Sequence, residues 1–272
     1  MGVVKKLPTI VAIGIQLLTS ILIIGAVSSD VNANVRSMGE AINIAGRQRM
    51  LSQRIAQSYF LIGINPDSKR GSIQLKRAVA EFDRNLENLK RYQRAEPLQD
   101  TMTGVEALWI PYRTLATAPV SKANGKVLLN QSNRLLAMAH TYVVALEVLS
   151  GSHKGEVINI SGRQRMLSQR IAKNFLASHW QLTDHVTTQL LYEDIAEYEN
   201  VLSYLSQLKL NTPEIRTQLH KVTGQFRYAS KGFDGAMSLS GKRLVHVVTG
   251  TTDAMLRGMN IVTGLYAQRL AD

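Results

Sequence analysis

The sequence predicts an all-α protein: two tandem antiparallel four-helix bundles, paired side by side about a pseudo-twofold axis and preceded by an apolar N-terminal helix. Three observations carry this prediction. Apolar residues recur at spacings of three and four over eight long segments. Short stretches holding Gly, Pro, Asn or Ser separate those segments. One arginine-rich block occurs twice, INIAGRQRMLSQRIA at 42–56 and INISGRQRMLSQRIA at 158–172, with fourteen of fifteen positions identical at an offset of 116. The exception is Ala45 against Ser161. Gly39-Glu40 recurs at the same offset as Gly155-Glu156, whereas beyond the block only an apolar rhythm persists, Leu86 with Leu202 and Leu89 with Leu205.

The first thirty residues stand apart. Lys5 and Lys6 precede an uncharged run over 7–29, about the 20 apolar residues that a bilayer-crossing helix needs. The run exceeds the apolar core of most signal peptides, which favours an uncleaved anchor. Small residues at 26–28 and 31–33 keep a removed signal open. The lysines predict a cytoplasmic N-terminus with everything after residue 30 outside. The last forty-two residues carry Lys231, Asp234, Lys242, Arg243, Asp253, Arg257 and Arg269 and do not span. The expected division is an anchor or signal over 1–30, one bundle over 31–150 and a second over 151–272.

In the first bundle a long helix runs from 31 to about 64, ended by Gly63, Asn65 and Pro66. A second covers about 69–94 with Leu75, Val79, Phe82, Leu86 and Leu89 on one face. Pro97 starts a third, carrying Val105, Leu108, Trp109, Tyr112 and Leu115, which stops near Pro119. The fourth spans about 122–149, and a glycine-bearing break follows at 150–155. The second bundle repeats the plan over about 156–182, 184–208, a helix entered through Thr212 as N-cap and Pro213 at the first position, and about 238–270. Helices of this length with short connections predict antiparallel bundles. The break at 150–155 favours a turn that sets the bundles side by side; a kink, with the bundles stacked end to end, is the alternative.

Length and composition narrow the function. A chain of 272 residues can bury two cores. With 32 Lys and Arg against 20 Asp and Glu, the net charge of +12 favours anionic partners. The chain has no cysteine, which excludes disulfides, thiolate metal sites and cysteine nucleophiles. The six histidines (140, 153, 179, 185, 220 and 246) show no metal-ligand spacing, so neither a metal nor a cofactor is expected. Glu193-Asp194 and Glu197-Glu199 read as a solvated helix face rather than an acid–base pair, and Trp109 and Trp180 as core. The stretch 235–243 faintly resembles a phosphate-binding loop, but it has one residue too many before Gly241-Lys242 and Arg243 where Ser or Thr is required. Nothing in the sequence requires an enzyme.

On a helix of 100° per residue, Ile44, Leu51, Ile55 and Ile62 share the face expected to meet their own bundle. Ile42, Gly46, Arg49, Gln53 and Phe60 form a second stripe, repeated as Ile158, Gly162, Arg165, Gln169 and Leu176. Arg47 and Arg54 share a third with Asn43 and Met50; Arg163 and Arg170 are their counterparts. A mid-helix glycine costs about 1 kcal/mol and is tolerated where a backbone or ligand comes close. If the copies face each other, Arg49 and Arg165 meet across the twofold. Two unpaired guanidiniums repel, so an anion between them is the natural neutraliser, and a planar oxyanion such as nitrate accepts from both forks.

The run Gly-Arg-Gln-Arg-Met-Leu-Ser-Gln-Arg resembles the signature of the PilJ-type sensor domain, named from the N-terminal part of type IV pilus methyl-accepting chemotaxis transducers. It is also similar to the nitrate-sensing segment of NarX-like histidine kinases. The resemblance implies periplasmic four-helix bundles that bind nitrate or nitrite at a symmetric interface between first helices. By motif position it assigns ligand binding to Arg49 and Arg165, the motif glycine to Gly46 and Gly162, and the later arginine to Arg54 and Arg170; Arg47, Arg163, Gln53 and Gln169, on the same helices, are expected to support the site. It further implies an inner-membrane anchor and an unidentified signalling or pilus partner. Members usually carry one such domain between two membrane helices, followed by a cytoplasmic output module. Here two copies follow one apolar segment, so an intramolecular pair is expected in place of the homodimer. Three functions compete: oxyanion sensing, a helical scaffold docked to pilus or receptor components, and acidic-polymer binding. Export argues against nucleic acid as the partner.

Overall fold

The computed structural model describes residues 35–151, 153–182, 185–233 and 239–269. The apolar segment at 7–29 lies outside these residues, as do parts of the 235–243 stretch. Among the described residues no helix is long and apolar enough to cross a membrane.

The described residues form eight α-helices: α1 (Met38–Ile64), α2 (Lys69–Lys90), α3 (Gln99–Thr117), α4 (Lys122–Ser150), α5 (His153–His179), α6 (His185–Ser206), α7 (Pro213–Phe233) and α8 (Gly241–Arg269). Local chemistry sets their ends. The hydroxyls of Ser37, Ser68 and Ser121 each accept a backbone N–H three residues on, at 3.1 Å, which caps α1, α2 and α4. Thr212 does the same for Ile215 at 3.2 Å, and Pro213 opens α7 as expected.

Three boundaries differ from expectation. The first helix begins at Met38 rather than 31, at its serine cap. The second stops at Lys90, and a 3-10 turn over Gln93–Leu98 takes up Pro97, which lacks an N–H and disfavours helix in the residue before it. The break after α4 is shorter than the expected six residues. Gly151 adopts a left-handed φ of 60° and donates its N–H to Val148, and α5 starts at His153. Gly151→Ala is expected to cost about 1 kcal/mol, measured by urea denaturation, because a Cβ disfavours that conformation.

α1 packs on α2, α4 and α5; α5 packs on α1, α6 and α8; α3 lies on α4 and α7 on α8. Each half is therefore a four-helix bundle, and α1 and α5 form the seam between them. That seam is parallel: Gly39 lies beside Ile158 at one end and Gly63 beside Trp180 at the other. The side-by-side arrangement, not the end-to-end one, is what the fold adopts.

The central position of α1 changes what its faces do. Seventeen of its 27 residues are buried, more than a single amphipathic stripe supplies. Leu51 and Ile55 are fully buried as expected, while Ile44 and Ile62 are only half-buried. The stripe of Arg49, by contrast, turns inward, and so does Arg54, while Arg47 stays partly exposed. Trp109 is a core residue that stacks on Phe82 at 3.8 Å and donates to Asp83, while Trp180 is partly buried against the core, 6.4 and 6.0 Å from Tyr59 and Phe60.

Candidate functional site

The repeated block makes the same bonds twice within its own halves. Gln48 and Gln164 donate to the carbonyls of Phe82 and Tyr198, at 3.3 and 3.1 Å. Arg47 pairs with Glu81, and Arg163 with Glu197. Gln53 donates to Ser132 O at 2.9 Å and Gln169 to Thr252 O at 3.5 Å. Arg47, Arg163 and Gln53 are thus engaged within their own bundles rather than at the paired arginines.

Arg49 and Arg165 cross the seam. Nη2 of Arg49 donates to Asn159 O at 3.3 Å, and Nη2 of Arg165 to Asn43 O at 3.2 Å. Asn43 and Asn159 are themselves repeat counterparts, so the exchange is reciprocal, as an approximate twofold between parallel helices requires. The glycines make room for it. A Cβ at Gly46 would lie 3.1 Å from Arg165 Nη2 and 3.5 Å from Arg49 Nη2; one at Gly162 would lie 3.1 and 3.6 Å from the same two atoms. Both guanidiniums therefore share one small space over the glycine pair. The close approach that the glycines permit is made by the arginine heads themselves.

Both arginines are only 1% exposed. Burial, and then the positive charge of neighbouring arginines, pushes each pKa down to about 9. Both thus stay cationic at neutral pH. Among the described residues neither pairs with a carboxylate, and the Nε of each is buried without a hydrogen-bond partner.

The twofold is broken around this pair. Arg165 Nη1 donates to Asn43 Oδ1 at 2.8 Å, whereas Arg49 Nη1 lies 3.1 Å from Nδ1 of His140 on α4, and Asn159 turns its amide to Glu147. Burial, with Arg49 and Arg163 nearby, lowers the His140 pKa and favours the neutral imidazole. Arg54 donates to Gln169 Oε1 and Asp253 Oδ1, both at 2.9 Å, while Arg170 makes a two-pronged pair with Asp194. Beside Arg49 a cleft of about 450 Å³ opens between α4, α5 and α6, with Arg163, Arg170 and His140 also on its walls.

Asn159, His140, Asp253 and Lys173 have no assigned role in the sequence reading, and Asn43 appears there only as a flank of a stripe. Asn43 and Asn159 lie inside the repeated block, where a search for shared polar positions finds them. Lys173 stands at the position of Gln57 in the other copy. It is fully buried, donating to Asn133 Oδ1 at 2.6 Å and Ser132 Oγ at 3.3 Å. Burial, with Arg170 adding to it and Asp194 opposing, pushes its pKa down to about 7. A lysine whose folded-state pKa is depressed is a liability while charged in both states, and that cost is relieved as pH rises from about 7 towards the unfolded value of 10.5. Stability is expected to rise over that window and Lys173→Gln to flatten the rise, as read from urea midpoints against pH.

Both parts of each block thus serve bundle interior and seam together, with Arg49, Arg165 and Arg54 reaching across; no group of three His, Asp or Glu side chains among the described residues is placed to hold a metal. No curated protein and no solved structure matches the chain significantly. A family model does, over residues 31–135 and again over 149–247, about three quarters of the sequence. Its family is a non-enzymatic, sensor-type signalling domain of chemotaxis and pilus systems. With both segments containing the repeated block, the chain belongs to the PilJ family, the N-terminal domain of type IV pili methyl-accepting chemotaxis transducers, present here in two copies.

Proposed function

We propose that the chain is a ligand-sensing module exported from the cytoplasm, which binds a small oxyanion of the nitrate or nitrite class between Arg49 and Arg165 and relays occupancy to a signalling or pilus partner. The observation that carries the proposal is the pair of buried guanidiniums, uncompensated by any contacting carboxylate and sharing one space over Gly46 and Gly162. Two like charges in a low-dielectric seam repel strongly, and an anion accepting from both relieves the repulsion and the desolvation together. In this reading residues 31–150 and 151–272 are two domains that replace the two subunits of a homodimer, and the periplasmic side of the inner membrane, reached through residues 7–29, is the site of action. Because α1 and α5 are the seam, a ligand that draws their arginines together acts on the relative position of the two bundles.

The test is a thermal melt of the full chain with and without millimolar nitrate, nitrite, sulfate and chloride. A ligand at 100 times its Kd adds about 2.7 kcal/mol. A rise selective for nitrate or nitrite supports sensing, and a flat response to all four overturns it. A second reading, a non-enzymatic scaffold, draws on the number of motif side chains engaged between helices: Gln48, Gln53, Arg47 and Arg54 each join α1 to a neighbour.

A further inference from the structure

The cleft beside Arg49 is larger and more apolar than an inorganic oxyanion needs. Its volume of about 450 Å³ falls within the usual range for organic ligands, which sit in mainly apolar pockets with a few placed polar groups. Leu136 and Ala137 on α4, Met166 on α5 and Leu190 on α6 supply the apolar wall.

Charge decides what fits. Arg163 is paired with Glu197, and Arg170 with Asp194, to which Asn174 also donates. Glu147, further along α4, is held by Asn159 and does not touch Arg49. Three guanidiniums therefore line the cleft, two of them already neutralised by contact. Arg49 remains, so the site lacks one negative charge. His140 accepts at Nδ1 from Arg49 when neutral, which leaves its Nε2–H as a donor.

The counterpart space in the other half is closed by the chain itself. The bonds of Gln53 to Ser132 and of Gln169 to Thr252 set α8 against α4 at an offset of 120, which aligns Asp253 with Asn133. On α2 and α6 the offset is 116, which aligns Gln74 with Leu190. There the Asp253 carboxylate takes Arg54, Arg70 and Gln74 as donors. In the cleft an amide, Asn133, and an apolar side chain, Leu190, stand at the matching places, and Arg170 takes its carboxylate from Asp194 on α6 instead, which leaves the space beside Arg49 open.

We propose that this cleft binds a small organic monocarboxylate, with its carboxylate on Arg49 and its apolar body against Leu136, Met166 and Leu190. The site shares Arg49 with the oxyanion site but uses neither Arg165 nor the glycine pair, and it is asymmetric where that site is twofold.

Calorimetric titration of the full chain with acetate, butyrate, hexanoate and succinate tests the proposal. Affinity is expected to climb about fourfold per added methylene from acetate to hexanoate, the increment for burying a methylene. Succinate, whose second charge would lie against the apolar wall while Arg163 and Arg170 are already paired, is expected to bind at least tenfold more weakly than butyrate. Ala137→Trp, which fills the cleft from an exposed position, is expected to abolish hexanoate binding. Leu190→Gln, a milder change at a partly exposed site, is expected to weaken it several-fold should the tryptophan variant not fold. Arg165→Met separates the two sites, since it retains hexanoate binding even where any nitrate response is lost. Equal affinity for acetate and hexanoate, or hexanoate binding unchanged in a folded Ala137→Trp or in Leu190→Gln, overturns the proposal.

Discussion

Arg165→Met is expected to abolish the nitrate-dependent rise in melting temperature while leaving the anion-free protein at least as stable as the parent. Two effects oppose each other in the anion-free state. Removing the guanidinium removes both the cost of burying it and its repulsion with Arg47 and Arg49, which together lower its pKa from 12.5 to about 9, on the order of 5 kcal/mol. It also leaves Asn43 Oδ1 without its donor, at about 1–3 kcal/mol, while the Asn43 carbonyl, inside α1, keeps its intrahelical N–H partner. Methionine fills the space with a flexible apolar chain, and the net change is a gain on the order of 2 kcal/mol. Thermal melts and urea titrations with and without nitrate check both halves of the expectation. A loss of more than about 2 kcal/mol in anion-free buffer identifies Arg165 as cement between the bundles and favours the scaffold reading.

The repeated block was legible because its identity over fifteen residues singles out the helices that meet at the seam. Helix number, the proline-capped start of α7 and the pairing of Arg49 with Arg165 followed from periodicity and from the duplication. The breaking of the twofold did not. His140 and Asp253 lie on α4 and α8, where the two halves are related by 120 rather than 116 residues, so a comparison at fixed offset aligns Ala137, not Asn133, with Asp253. The inward turn of the Arg54 stripe was hidden for another reason. A one-face helix pattern assumes solvent on the other side, and α1 has helices on nearly all sides. Isolated arginines then read as surface residues although their partners are 115 and 199 positions away.

Asp253→Ala is expected to lower stability by about 3 kcal/mol, far more than Arg47→Ala. The Asp253 carboxylate is 5% exposed and accepts from Arg70 Nη2 at 2.6 Å, Arg54 Nη1 at 2.9 Å and Gln74 Nε2 at 2.5 Å. Removing one partner of a buried pair costs about 3–5 kcal/mol because it leaves the other charge desolvated and alone. The lower end applies here, since Arg54 and Arg70 keep 18% and 33% of their side-chain surface exposed and can recover water. Asp253→Asn keeps an acceptor and is expected to cost about half as much. Arg47 pairs with Glu81 at 40% and 31% exposure, and such pairs contribute less than about 1 kcal/mol. Urea denaturation ranks the three. Location adds a second readout, because Asp253 lies on α8 of the second half while Arg54, Arg70 and Gln74 come from α1 and α2 of the first. Hydrogen exchange in Asp253→Ala should therefore quicken in α2 and α8 and leave α7 protected relative to the global stability. Uniform loss of protection over all eight helices would instead mean that the apolar core continuous through both halves makes them open as one unit.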